Sequence, residues 1–251
     1  MINLKTKNWE IENIETVFFD KDGTFIDLHY FWGKMTQMRA LEVIKRFNLD
    51  ENLVDEICLF LGFNPKTEKM LPDGITALYS RSKIIEFFKD FLLKYEIKTT
   101  VEYLEEIFDN VSEIFYQNMC DYVKPIEPAI NLIKELHQKG VKLAVITADS
   151  KVSCDMTLRH FCWDNYFDVV MARESTKETK ESGASALLAL KELNSNPKTT
   201  VMIGDTPMDF ECAKNAGIEK TILVATGQIS KDELSKTSPY AVFDLSEIEI
   251  K

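Results

Sequence analysis

No run of about 18 or more apolar residues occurs anywhere in this chain of 251 residues, so no membrane-spanning helix is expected. The opening stretch MINLKTKNWEIENIE lacks the apolar centre of an export signal, and a cytoplasmic location is the expectation. The 5 cysteines are an odd number and include no CxxC pair. That argues against both a disulfide framework and a structural zinc set, and it fits a reducing compartment. His160 and Cys162 lie two residues apart, but no second pair completes a tetrahedron, so both read as structural. Positive charge is scarce as well: 30 Lys and Arg stand against 41 Asp and Glu, a net charge of −11. A general binder of nucleic-acid backbones is therefore not expected. Repeats and low-complexity tracts are absent too.

What is present is an ordinary globular balance, 45% hydrophobic and 28% charged, in a chain long enough for one large domain or two modest ones. An acidic protein that handles an anionic substrate must build a local cationic site against its own field. A metal ion achieves this with few residues.

The apolar run Thr16-Val17-Phe18-Phe19 stops abruptly at Asp20-Lys21-Asp22-Gly23-Thr24, which reads as a buried strand feeding a polar turn. The next hundred residues have a different rhythm. Met38, Leu41, Val43, Ile44 and Phe47 recur at helical spacing, as do Ile84, Phe87, Phe88, Phe91 and Leu92, and then Val101, Leu104, Ile107, Phe108, Val111, Ile114 and Phe115. The spacing predicts an all-helical block broken at Gly62-Phe63-Asn64-Pro65 and Leu71-Pro72-Asp73-Gly74. From Pro125 strands and helices alternate: a helix from Pro128 to Gly140, strands at Leu143–Ile146, Val201–Ile203, Thr221–Val224 and Ala241–Phe243, and helices at Ala186–Leu193 and Phe210–Ala216. Such alternation implies a parallel sheet covered on both faces. The expected division is a core of residues 1–28 and 122–251 with a helical insertion of residues 29–121. The first dozen residues and Gly227 to Ser238 read as an irregular lead-in and a polar connection.

Three of these strands end in polar residues: Asp20 with Asp22, Thr147, and Asp205 with Asp209. Ligands bind at the carboxyl edge of open α/β sheets, so these distant residues can converge. A carboxylate able to attack phosphorus also repels phosphate, and the site needs cations. In this reading Asp20 is the nucleophile, and Asp22 protonates the leaving oxygen and later takes a proton from water. The competing reading is a solvated Asp-Gly turn. A calcium loop fits less well, because Gly23 and Phe31 fall where that loop needs other residues. Asp205 and Asp209 suit a hard, oxygen-ligated cation such as Mg²⁺, the alternative being helix N-capping. Thr147, ahead of a helix N-terminus, can hold a phosphoryl oxygen or be a simple cap. The remaining part is a lysine to screen the nucleophile. Lys180 is chosen over Lys177, with a solvated surface charge as the plain alternative.

DKDGT, VITAD, TKETK and GDTPMD, in that order, resemble the four motifs of haloacid dehalogenase superfamily phosphatases. The resemblance runs from about Thr16 to Phe243. It implies a Rossmann-like α/β core with helices on both faces of a parallel sheet, and an inserted helical cap of the C1 type found in phosphoglycolate phosphatase-like members. It also implies an aspartyl-phosphate on Asp20, acid/base work by Asp22, phosphate contacts from Thr147 and Lys180, and Mg²⁺ held by Asp20, Asp205 and the Asp22 carbonyl. One departure is that Lys180 is followed by Glu181, where many relatives have proline.

Asp22 speaks against dehalogenation, since the dehalogenases that name the family lack this second acid. The expected activity is phosphatase action on a small phosphorylated metabolite, without nucleic acid or membrane and with monomer or dimer left open. A phosphosugar mutase of the β-phosphoglucomutase kind would use the same core. A phosphorylated receiver domain and a silent binding module are further alternatives. Substrate contacts in the insertion are sought at Leu71–Gly74, at Arg81 and at His29, Tyr30, Phe31 and Trp32. For these, surface charge and packing are the simpler readings.

Overall fold

The computed structural model describes all 251 residues and divides into two compact units, one of Met1–Asp27 with Lys124–Lys251 and one of Leu28–Val123. In chain order, the first unit begins with strands β1 (Ile2–Lys5), β2 (Glu10–Ile14) and β3 (Thr16–Phe19). The second unit holds α1 (Leu28–Phe47), α2 (Val54–Phe60), a short hairpin of β4 (Phe63–Asn64) and β5 (Lys69–Met70), then α3 (Ile75–Leu78), α4 (Arg81–Leu92) and α5 (Val101–Gln117). The first unit resumes with α6 (Glu127–Gln138), β6 (Lys142–Ile146), α7 (Lys151–His160), β7 (Val169–Met171), α8 (Ala184–Glu192) and β8 (Thr200–Gly204). It closes with α9 (Pro207–Asn215), β9 (Lys220–Val224), α10 (Lys231–Leu234), β10 (Tyr240–Val242) and β11 (Glu249–Ile250). No helix is long and apolar enough to cross a membrane.

The central sheet has the order β10-β9-β8-β3-β6-β7, and every neighbouring pair is parallel. All four residues of β3 are buried, as a strand covered on both faces requires. Phe18 enters a cluster with Ala144, Met202, Ala186, Ala189 and Cys212, so small residues on α8 and α9 let those helices lie close to the sheet. The chain runs outward from β3 in both directions, to β6 and β7 on one side and to β8, β9 and β10 on the other. A crevice at the carboxyl ends of β3, β6 and β8 follows from that reversal.

Local signals explain several boundaries. Pro128 occupies the first turn of α6, where a missing N–H costs nothing. At α7, the Ser150 side chain accepts a hydrogen bond from the Ser153 amide. In the second unit, Ile85, Phe88, Leu104, Ile107 and Phe108 are completely buried and form one core with Val43 and Ile57. The insertion is not wholly helical, however. Met70 pairs with Phe63 across a hairpin, and the Met70 amide donates to His29 Nδ1 at 3.1 Å.

Three stretches differ from expectation. The lead-in is ordered: β1 pairs antiparallel with β2 and with β11 in a separate sheet, and Leu4, Ile11 and Ile14 are buried. Its strands are short, dotted with Lys, Asn and Glu, and completed by residues at the far end of the chain, so their period-two signal is weak. Between Gly227 and Ser238, Ser230 caps the single turn of α10 and Leu234 is buried. The edge strand β7 also went unrecognised, being only three residues long.

Phe18→Ala should lower stability by about 3–5 kcal/mol, because it opens a cavity in the middle of the sheet. Urea unfolding of the variant beside the parent measures this.

Candidate active site

The register of the sheet brings the sequence-predicted residues to one edge. Phe19 lies level with both Val145 and Ile203, so Asp20, Thr147 and Asp205 each emerge one or two residues beyond a common line. The Asp20 amide still donates to the Ile203 carbonyl at 2.8 Å, which fixes the carboxylate at the strand end. The turn that follows is tied to one acceptor: the amides of Thr24, Phe25 and Ile26 converge on the Lys21 carbonyl at 3.3, 3.1 and 3.0 Å.

Carboxylate oxygens of Asp20, Asp205 and Asp209 lie within 4.8 Å of one another, and all three residues are buried. Lys180 Nζ reaches Asp20 Oδ1 at 2.5 Å and Asp209 Oδ1 at 2.6 Å. Lys177 is exposed. Of the two lysines, the fold therefore brings Lys180 alone to the acids. Asp209 serves two neighbours at once. Its Oδ2 accepts from the Thr206 amide at 3.0 Å and the Thr206 hydroxyl at 2.9 Å, while Oδ1 faces Lys180. The helix-capping role and a place among the acids thus coexist in one side chain.

Thr147 Oγ1 accepts from the Asp149 amide at 3.0 Å and is nearly buried. With Ala148, Thr179, Lys180, Ser185 and Met208 it lines a cavity of about 230 Å³ beside the acids. The Asp22 carboxylate is less enclosed, and Lys21 Nζ meets its Oδ1 at 2.5 Å.

The field in the crevice is strongly negative. Burial, against the pull of Lys180 and with the push of Asp209, raises the Asp20 carboxyl from its usual value to about 7. Burial and the charges of Asp20 and Asp209 raise the Asp205 carboxyl well above its ordinary value. Burial likewise raises Asp22, although Lys21 opposes it. For Lys180, burial alone would lower the ammonium, but Asp20 and Asp209 together raise it and keep it charged. Asp20, Asp22, Asp149, Asp205 and Asp209 share only two lysines, Lys21 and Lys180. An all-oxygen donor set with excess negative charge fits a hard divalent cation.

Two glycines make room for this arrangement. A Cβ on Gly204 would stand 2.1 Å from Asp209 Cγ, and one on Gly227 would stand 1.8 Å from Asp205 Oδ2. Just before Gly227, the Thr226 hydroxyl donates to the Gly23 carbonyl at 2.6 Å, so the loop after β9 clamps the turn after β3. Sequence reasoning passed over this loop. Its position straight after a buried strand of the parallel sheet was the available signal. Lys21 and Asp149 were likewise passed over as members of the site.

The residues sought in the insertion have other partners within their own unit. Arg81 pairs with Asp109 at 2.6 Å on an exposed surface. Phe31 is buried edge-on against Trp32 and Phe115, with ring centroids 5.3 and 5.0 Å apart. Gly74, at the end of the Leu71–Gly74 loop, packs against Gly62.

Residues 17–224 match the family model described as haloacid dehalogenase-like hydrolase, and the chain belongs to that family. It is a hydrolase whose relatives include phosphatases. It is 26% identical over 216 residues to the phosphoglycolate phosphatase of Aquifex aeolicus, covering 86% of this chain and 87% of that one. It is 27% identical over 193 residues to the pyrophosphatase PpaX of Halalkalibacterium halodurans, covering 77% and 88%. Among solved structures, a HAD-superfamily hydrolase of subfamily IA from Geobacter sulfurreducens shares the fold, with a TM-score of 0.66, 20% identity and 97% of each chain covered.

Gly227→Ala should displace Asp205 and reduce hydrolytic turnover of a chromogenic phosphate ester by about 10²-fold, the scale expected for a misplacement near 1 Å. Steady-state kinetics, with circular dichroism to confirm an intact fold, measures it.

Proposed function

We propose that this chain is a magnesium-dependent phosphatase that removes phosphate from a small phosphorylated metabolite by way of an aspartyl-phosphate on Asp20. One observation carries the reading: Asp20, Lys180, Asp205 and Asp209 meet at the strand ends, with Thr147 on the neighbouring edge.

In the first half-reaction an Asp20 carboxylate oxygen attacks phosphorus and the ester P–O bond breaks. Asp22 gives its proton to the departing oxygen, so an alcohol leaves instead of an alkoxide. Lys180 and the Thr147 hydroxyl take up phosphoryl oxygens, which offsets their repulsion from the acids. In the second half-reaction Asp22 accepts a proton from water as that water attacks phosphorus. The bond from phosphorus to Asp20 then breaks and free phosphate forms. Asp20, Asp205 and the Asp22 carbonyl, with Asp209 beside them, would hold Mg²⁺, whose charge supports the approach of one anion to another. We read Leu28–Val123 as the helical cap of the family's C1 type, and the protein as cytoplasmic.

The relatives' names point to two kinds of phosphate bond, the monoester of phosphoglycolate and the anhydride of pyrophosphate. A panel of phosphomonoesters plus inorganic pyrophosphate, assayed with Mg²⁺ for released phosphate, tests the reading. Conversion of a sugar phosphate to its isomer without phosphate release would instead mark a mutase.

Asp20→Asn should abolish phosphate release on every active member of the panel while leaving the melting temperature unchanged or higher, since it removes one of several crowded charges. Retained turnover would exclude covalent catalysis at this position. A second expectation follows from the raised carboxyls. Without metal, a folded-state pKa above the unfolded one means stability that is present at low pH and lost as pH rises, for Asp20 between about 4 and 7. Mg²⁺ must displace those protons, so its stabilisation should grow over the same range. Thermal melts with and without Mg²⁺ should differ more at about pH 8 than at about pH 5.5. An equal shift at both would separate metal binding from these acids.

A further inference from the structure

The residue between the two catalytic-motif aspartates is a lysine with no exposed surface. A solvated spacer would place its ammonium in water, because burying one costs several kcal/mol unless it is paired on all sides. Lys21 instead runs inward and its Nζ lies between two carboxylates, 2.5 Å from Asp22 Oδ1 and 3.0 Å from Asp149 Oδ2.

Asp149 is itself fixed. Its Oδ1 accepts from the Ser150 amide at 2.7 Å, its amide donates to Thr147 Oγ1, and its carbonyl accepts from the Arg173 amide at 2.9 Å. The turn after β6 therefore holds one end of the Lys21 ammonium, and the other end holds Asp22. At the same time the Lys21 carbonyl gathers the three amides of the turn after β3. Main chain and side chain of one residue thus fix both the loop that bears Asp22 and the carboxylate on it.

The arrangement also sorts the charges. Lys180 contacts Asp20 and Asp209, and Lys21 contacts Asp22 and Asp149.

From this geometry we infer that Lys21, anchored by Asp149, is a positioning residue that holds Asp22 in place for proton transfer to the leaving group. The inference rests on the acid/base reading of Asp22 given above. Its signature is specific: a misplaced acid matters most when the leaving oxygen is a poor one, and little when it departs readily as an anion.

The test is a set of ring-substituted phenyl phosphates, from phenyl phosphate to p-nitrophenyl phosphate, turned over by parent, Lys21→Met, Asp149→Asn and Asp22→Asn proteins. Lys21→Met should lower kcat/KM, which reports the steps up to departure of the phenol, by about 10²-fold on phenyl phosphate and by less than about tenfold on p-nitrophenyl phosphate, steepening the leaving-group dependence. Asp149→Asn, nearly isosteric, should steepen it in the same direction but less. Equal losses along the series would make the pair merely structural, and an unchanged slope in both variants would also overturn the inference. If Lys21→Met fails to fold, Asp149→Asn decides alone, and its parent-like slope would sink the idea. A slope left unchanged by Asp22→Asn would remove the acid role itself, a failure distinct from that of Lys21.

Discussion

Carboxylates do not gather out of water by default. Each of Asp20, Asp205 and Asp209 is almost wholly enclosed, and the ammonium groups within reach are too few to balance them and their neighbours. The excess goes with raised carboxyls at Asp20 and Asp205, both pushed up by burial and by the neighbouring acids. A folded protein tolerates such an arrangement only when the surrounding structure over-determines it. That over-determination is spread through the core. Asp209 is tied into the start of α9, Asp20 is tied to β8 through its amide, and bare glycines at 204 and 227 leave the room that the Asp209 and Asp205 side chains occupy.

The sheet supplies the rest of the rigidity. Because β3 sits between β6 and β8, three strand ends with different sequences deliver their last side chains to one place, and α7 and α9 begin just beyond Thr147 and Asp205. The apolar strands bury themselves for ordinary hydrophobic reasons, so the polar residues at their ends are carried to the edge by packing energy gained elsewhere. Small residues on α8 and α9 matter for the same reason. They bring the helices that carry Lys180's loop and Asp209 close to the sheet.

Much of this was legible from sequence, and the reasons are physical. Buried parallel strands are continuous apolar runs, so Thr16–Phe19 and Val201–Ile203 announce themselves, and the acids that end them stand out. Helices in the insertion show their 3.6-residue rhythm because each buries one face. The lead-in was harder, since β1 and β2 alternate over only a few residues and find their third strand at Glu249–Ile250. Lys21 was harder still. A lysine between two aspartates looks like a solvated spacer, and only the fold reveals that its partner lies at Asp149, on another strand end. Thr226 and Gly227 carry no charge to draw the eye, and their importance lies in what they touch.

The chain leaves the sheet unit just after Asp27 and comes back at Lys124, and the crossing points are stitched together: the Asp27 amide donates to the Lys124 carbonyl at 2.8 Å, and the Ile126 amide to the Phe25 carbonyl at 2.9 Å. An excursion whose ends are already clasped asks almost nothing of the scaffold that hosts it, because loop-closure entropy grows only slowly with length. Nearly a hundred residues can then be lengthened, shortened or exchanged over evolutionary time while the strand that precedes them stays in register. The clasp lets one chemical core be fitted with many different insertions.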